Sequence, residues 1–198
     1  PFTLGKLTPE DFRVPVKETR GAASVIKIVD QTVTAIEAMN LPAADGFYRV
    51  GGDVLAAALF TRDGRRVGRG LLANFADRLD GLASSVAHET HGLLVIGGRE
   101  SDMALAANHV LDMGGGVALV QEGRLRASLP LTLGGICSTE SVTELAGQTQ
   151  ALNEALAEAG CWTDYPLWTM GFLTFTSVLG GRLTVSGVYD VKKGEVIY

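Results

Sequence analysis

Eight consecutive residues, Val54 to Thr61, read Val-Leu-Ala-Ala-Ala-Leu-Phe-Thr and are closed at once by Arg62-Asp63-Gly64-Arg65-Arg66. A strand that is apolar on both pleat faces has to be buried on both. Asp-Gly supplies the backbone freedom of a tight hairpin. This run therefore predicts a buried strand that turns sharply and pairs with the next strand along the chain, and it commits the chain to a layered β architecture.

The remaining periodicities extend that reading. Ser24 to Asp30 alternates Val25, Ile26, Ile28 and Val29 with Lys27, and Thr32 to Met39 continues in β-branched style until Leu41-Pro42-Ala43-Ala44-Asp45-Gly46 breaks it. Gly68 to Phe75, Leu82 to Ala87 and Leu93 to Ile96 are further strands. A helix is expected from Ser101, taken as its N-cap with Asp102 in the first turn, and Met103, Ala106, Ala107 and Val110 fall at helical spacing. Gly114-Gly115-Gly116 stops it. Val117 to Gln121 then turns through Glu122-Gly123 into Leu125 to Leu129. The longest helix is expected from Thr139 to Ala159, with Val142, Leu145, Thr149, Leu152 and Leu156 as a core-facing stripe and Gly160 as its stop. Leu167 to Phe175 is apolar without period, and Leu183 to Asp190 with Glu195 to Tyr198 reads as a closing hairpin. Strands grouped first and helices later, joined by hairpins, predict an α+β layered domain with antiparallel or mixed sheets flanked by helices, rather than a doubly wound sheet.

With 198 residues, 46% of them hydrophobic and 20% charged, the chain has material for one domain or two tightly packed halves. A formal charge of −5 and the lack of any Lys/Arg run exclude nucleic acid and anionic membranes as partners, since both need a clustered basic surface. No apolar stretch approaches the roughly 18 residues of a bilayer span. Pro1-Phe2-Thr3-Leu4-Gly5-Lys6 has no signal-peptide apolar segment, so a cytoplasmic location is expected. The start at Pro1, without Met, reads as a linker over residues 1–20 leading into a domain, hence as part of a longer chain. Two cysteines, Cys137 and Cys161, fit no Cys-x-x-Cys pattern and are expected as buried thiols.

Chemistry concentrates in Ser84-Ser85-Val86-Ala87-His88-Glu89-Thr90-His91-Gly92, which places two of the three histidines and a carboxylate in a loop between strands. His88, Glu89 and His91 are the candidate site residues. A histidine pair three apart on a loop does not build a tetrahedral metal site alone, and the spacing is not that of the helical His-Glu-x-x-His signature. His109 could join only through folding. The loop is therefore read as hydrogen-bonded structure, or as one wall of a site completed by another domain, with no metal or cofactor bound by this chain. Gly97-Gly98-Arg99 and the triple glycine are turn and cap residues rather than phosphate cradles, because acidic Glu100 and Asp102 flank the first and the second follows a helix. Cys137, in Gly134-Gly135-Ile136-Cys137-Ser138-Thr139, precedes the long helix and raises the alternative of a small cysteine-dependent hydrolase. Trp162, Tyr165 and Trp168, around Pro166, form an aromatic patch suited to closing a core or docking another domain.

The run from His88 onward resembles the C-terminal domain of bacterial adenine deaminases. The family carries a Ser-Ser-Val-Ala-His-Asp-Ser-His-Asn run, a short strand, a helix led by Asp-Met-Ala, a triple glycine, a Leu-Pro-Leu, and a helix ending before a Leu-Gly-Cys-like turn. This chain offers Ser84 to Gly92, Asp102-Met103-Ala104-Leu105-Ala106, Gly114-Gly115-Gly116, Leu129-Pro130-Leu131 and Ala159-Gly160-Cys161 in the same order. Thr8-Pro9-Glu10-Asp11-Phe12 and Gly70 to Ala83 extend the likeness over nearly the whole chain. Glu89, Thr90 and Gly92 depart from the family loop, and Thr61-Arg62-Asp63-Gly64 departs from a Glu-Arg-His-Gly-like turn.

The resemblance implies a parent hydrolase that deaminates adenine to hypoxanthine and ammonia on a divalent metal pair, manganese or iron, held in a separate amidohydrolase barrel. That barrel needs more histidine ligands than this chain's three, so the chain would act as the barrel's companion, with His88, Glu89 and His91 facing the barrel's site and adenine reached through it. Relatives of this superfamily commonly form homo-oligomers. The competing reading is a stand-alone, non-catalytic binding or oligomerisation module descended from that domain.

Overall fold

The computed structural model describes residues 2–16 and 22–197; Pro1 and residues 17–20 of the expected linker lie outside them. Eight strands form one sheet: β1 (Ala23–Asp30), β2 (Val33–Met39), β5 (Val54–Phe60), β6 (Val67–Ala73), β7 (Gly81–Ser84), β8 (Leu93–Gly97), β9 (Gly116–Gln121) and β10 (Arg124–Pro130). Two short strands, β3 (Ala43–Ala44) and β4 (Phe47–Tyr48), pair separately, and β11 (Gly181–Thr184), β12 (Gly187–Asp190) and β13 (Glu195–Val196) make a second sheet. The large sheet runs β10-β9-β7-β8-β5-β6-β1-β2. It is antiparallel except where β1 lies parallel to β6. The expected α+β class with a mixed sheet is the one observed.

The long apolar run behaves as its composition requires. All seven residues of β5 are buried, between β6 and β8, and the Asp63-Gly64 turn sets Phe60 opposite Val67. The pleat then decides which layer covers which face. Gly97 and Ala56 are cross-strand partners, and an added Cβ at Gly97 would meet the Met103 side chain of α1 (Glu100–Asp112). Gly70 pairs with the next residue, Ala57, and an added Cβ there would meet Val188 and Leu183 of the second sheet. Successive residues point to opposite faces, so α1 and the three-stranded sheet sandwich the large sheet from opposite sides. The segment leading in is part of this packing: Phe12, in a 3₁₀ turn over Pro9–Phe12, is fully buried and sits edge-on against Phe60, 5.7 Å between centroids.

Helix boundaries differ from the sequence expectation for local reasons. α1 begins at Glu100 with Arg99 as N-cap, because the Gly98 and Arg99 amides are already tied to the carbonyls of Leu79 and Asp80. Asp102 is buried instead of capping in water, and its carboxylate accepts from the Gly123 amide at 2.9 Å to hold the β9–β10 turn. α2 (Val142–Glu158) starts three residues later than expected, since Ser141 and Glu144 form a capping box. Its stripe is core only at the C-terminal end, where Leu152 and Leu156 are fully buried; Val142 is 85% exposed. α3 (Pro166–Phe172) occupies the apolar stretch that lacked a period, with Pro166 in its first turn. No helix among the described residues is long and apolar enough to cross a membrane.

Candidate functional site

β7 ends at Ser84, and the chain then needs eight residues to reach β8 at Leu93. Buried Ser85 fixes the departure: its hydroxyl donates to the Gly135 carbonyl and accepts from the Gly116 amide at 2.7 Å. The loop is next fastened to α3 and the segment after it. The His88 amide donates to the Gly171 carbonyl at 3.1 Å, and the Thr174 hydroxyl donates to the His88 carbonyl at 2.8 Å. The half-buried His88 ring meets Phe172, Trp168 and Phe175 edge-on, with centroid separations of 4.8, 6.1 and 6.2 Å. Burial, and secondarily the neighbouring His91, hold this imidazole below the usual histidine pKa. Its neutral form, with one donor and one acceptor nitrogen, is favoured at neutral pH.

Glu89 is engaged rather than free. Its carboxylate accepts from the Thr176 amide at 2.9 Å, the Thr176 hydroxyl at 2.7 Å and the Ser177 hydroxyl at 2.9 Å. Desolvation pushes its pKa up, but these donors together outweigh it and leave the carboxyl below the usual glutamate value. The clamp also offsets a local cost, because Glu89 adopts φ +71° and His91 φ +43°, left-handed conformations that disfavour side chains. With its folded pKa depressed, Glu89 contributes stability at pH above its unfolded value, and that contribution disappears as pH falls through the folded value. Glu89→Gln is expected to lower stability at neutral pH by under about 1 kcal/mol, screening at this exposed carboxylate being taken into account. It is also expected to flatten the acid limb of the stability profile. Urea unfolding at pH 7 and pH 4 checks both; a wild-type-sized drop in stability between the two pH values in the variant would show that Glu89 does not carry it.

The far side of the loop is held by a residue outside the proposed site. Arg62, in the β5–β6 turn, donates Nε to the His91 carbonyl and Nη2 to the Gly134 carbonyl, both at 2.6 Å, and its guanidinium lies 4.7 Å from the Phe2 ring centroid. The arginine that this turn shares with the family's Glu-Arg-His-Gly-like pattern thus ties the histidine loop to the Gly134-Gly135 loop. Gly92 has a reason of its own: an added Cβ would fall 2.3 Å from the Phe60 carbonyl, so the backbone passes too close to β5 for any side chain. His91 Nδ1 is out of solvent with no partner among the described residues.

The structure brings His88, Glu89 and His91 together only as neighbours in one loop. His109 stays on α1, and no group of three or more His, Cys, Asp or Glu side chains among the described residues could hold a metal ion. The donor set of the described residues does not fit a metal pair. Cys137 corrects the expectation of two buried thiols: it is exposed, in a loop that closes on Leu133, and is separated from α2 by four residues because the helix starts only at Val142. Cys161 is largely buried, and desolvation raises its thiol pKa to about 12. Trp162, Tyr165 and Trp168 are 53%, 61% and 54% exposed, so the aromatic patch does not close this chain's core.

The profile of the adenine deaminase C-terminal domain matches residues 31–195. The chain belongs to the adenine deaminase C-terminal domain family. Among similar full-length proteins, an adenine deaminase of Clostridium botulinum is 34% identical over 199 residues, covering 97% of this chain and 33% of its own length. One from Moorella thermoacetica is 33% identical, covering 96% and 33%, and one from Shigella sonnei 34%, covering 85% and 29%. The chain thus spans about a third of the length of the curated relatives it matches. The adenine deaminase C-terminal domain therefore takes the form described above, and the match starts inside the β1–β2 hairpin and ends in β13.

Proposed function

We propose that this domain serves a hydrolytic adenine deaminase, converting adenine and water to hypoxanthine and ammonia, by presenting the His88–His91 loop to a catalytic amidohydrolase domain. The observation that carries the reading is the mounting of the loop. Gly171, Thr174, Thr176 and Ser177 hold it from one side and Arg62 from the other, while half-buried His88 stands beside exposed Trp168. So many protein contacts on a surface loop fix its shape, which is what a positioning element requires. Glu89 keeps the loop rigid; His88 offers an uncharged imidazole; neither performs the bond-breaking step, and any divalent metal pair would be held by residues of the catalytic domain.

Replacing His88 and His91 together with Ala in the complete deaminase polypeptide is expected to lower kcat/KM for adenine by about 10- to 100-fold, the scale of a misplaced site wall. His88→Phe, which keeps the ring edges packed but removes both nitrogens, is expected to lose activity without losing thermal stability. Unchanged kinetics in both variants would remove the loop from the reaction. An immunoblot of source cells distinguishes the alternative of a stand-alone binding module: a native product no heavier than 20.8 kDa would sink the deaminase reading.

A further inference from the structure

The apolar stripe of α2 is longer than the surface that covers it. Val142, Leu145, Thr149, Leu152 and Leu156 share one face of the helix, yet only Leu152 and Leu156 are fully buried, against the β9–β10 edge of the large sheet. Toward the N-terminus the same face overruns the sheet: Val142 is 85% exposed, Leu145 and Thr149 are half-buried, and with exposed Ala146 they line a shallow apolar groove. A surface helix that buries two leucines normally keeps the rest of its stripe covered. Glu144 and Ser141 cap the first turn firmly, so the exposed end is a formed helix rather than a fraying one.

The charge around this stripe selects what covers it. From Thr139 to Ala159 there is no lysine, arginine or histidine, while Glu140, Glu144, Glu154 and Glu158 flank the apolar residues. Among the described residues, only Glu158 of the four has an ion-pair partner, Arg126 at 3.5 Å. Two copies of α2 laid against each other would bring carboxylates face to face, a destabilising arrangement. A complementary surface is apolar at its centre with lysine or arginine at its rim.

We infer that the N-terminal half of α2, Val142 to Thr149, is a docking face for the part of a longer deaminase polypeptide that this chain does not span, through an apolar patch with a basic rim. The inference rests on the family reading and on relatives three times as long, and it concerns a surface separate from the His88 loop. It therefore fails independently of the catalytic proposal, which is read by adenine turnover.

The test places the photocrosslinker p-benzoylphenylalanine at position 142 of the full native polypeptide, since a side chain 85% exposed on this domain takes no part in the domain's own packing and stands at the face inferred to be covered. Irradiation followed by peptide mass mapping is expected to give an adduct within one polypeptide, to a lysine- or arginine-containing peptide lying outside this chain. Amides 142–149 are expected to exchange about tenfold or more slowly in the full polypeptide than in the excised domain. An adduct to α2 of a second copy would overturn the inference in favour of self-association. No adduct, or equal exchange in both forms, would overturn it outright. Adenine turnover by the polypeptide before irradiation reports separately on the deaminase reading.

Discussion

Arg182→Met is expected to destabilise this domain by about 3 kcal/mol, because four backbone carbonyls lose their donor at one stroke. Arg182, on β11, is fully buried and has no carboxylate partner among the described residues. Its charge is satisfied entirely by main chain. Nε donates to the Val178 carbonyl and Nη1 to that of Phe172, both at 3.0 Å; Nη2 reaches those of Thr32 and Leu179, both at 2.8 Å. Burial lowers the guanidinium pKa, but the group stays protonated, since arginine starts so high. One side chain thus ties the end of α3, the turn at 178–179 and the β1–β2 turn together.

Thermal unfolding reads this directly. For a chain of this size about 2–4 °C is lost per kcal/mol, so Arg182→Met should melt roughly 6–12 °C below the parent. Arg182→Lys should recover little, because an ammonium cannot reproduce the planar fork that spans these acceptors. Segment 172–179 also carries Thr174, Thr176 and Ser177, the donors that hold His88 and Glu89, so faster amide exchange there should accompany the loss. A melting point within about 2 °C of the parent would mean that water replaces the guanidinium and that the residue is not a keystone.

What the sequence made legible was local. The Val54–Thr61 run, its Asp-Gly turn and the Glu122-Gly123 turn specify strands and hairpins through composition and backbone preference within about ten residues, and those elements appear where expected. The α+β class followed from their order. The parallel pairing of β1 with β6 was not legible, because it joins Val25 to Leu71 across three hairpins and nothing in either strand's alternation names its neighbour. α3 was hidden because its seven residues are apolar all round, which erases the period that marks a helix.

The site shows the same division. His88, Glu89 and His91 stood out by type and by their place at a strand end. The partners that give them their properties, Thr176 and Ser177 at 87 and 88 residues' distance and Phe172 and Phe175 beyond β10 and α2, could be found only by folding the chain. Glu89 shows why this matters: read alone it is a carboxylate facing a neighbouring domain's site, whereas three donors make it a clamp. Arg62 is a similar case, its role arising from two carbonyls on separate loops.

Gly68→Ala is expected to cost about 3 kcal/mol or more, placing it with Arg182→Met as the most damaging single change. The chemistry added is one methyl group, and the cost comes from where it would go. An ideal Cβ at Gly68 falls 1.7 Å from the Thr184 carbonyl oxygen, 2.8 Å from the Thr184 carbonyl carbon and 3.0 Å from the Gly187 amide nitrogen. All three atoms are main chain, in the β11–β12 hairpin, so no side-chain rotation relieves the clash. The hairpin has to move off β6 as a body. It is held there by buried Leu183 and Val188, and Val188 in turn lies against Gly70, two residues further along β6 on the same face. Lifting the hairpin exposes those side chains and pulls on Arg182, the residue immediately before Leu183. Gly68→Ala and Arg182→Met should therefore be less than additive, since each releases the same layer from the large sheet. Thermal melts of the two single variants and the double measure the coupling. A drop for the double equal to the sum of the singles would show that the second sheet is not released as one unit. A Gly68→Ala melt matching the parent would mean that the hairpin and β6 part easily, contrary to the packing that sets this layer on the sheet.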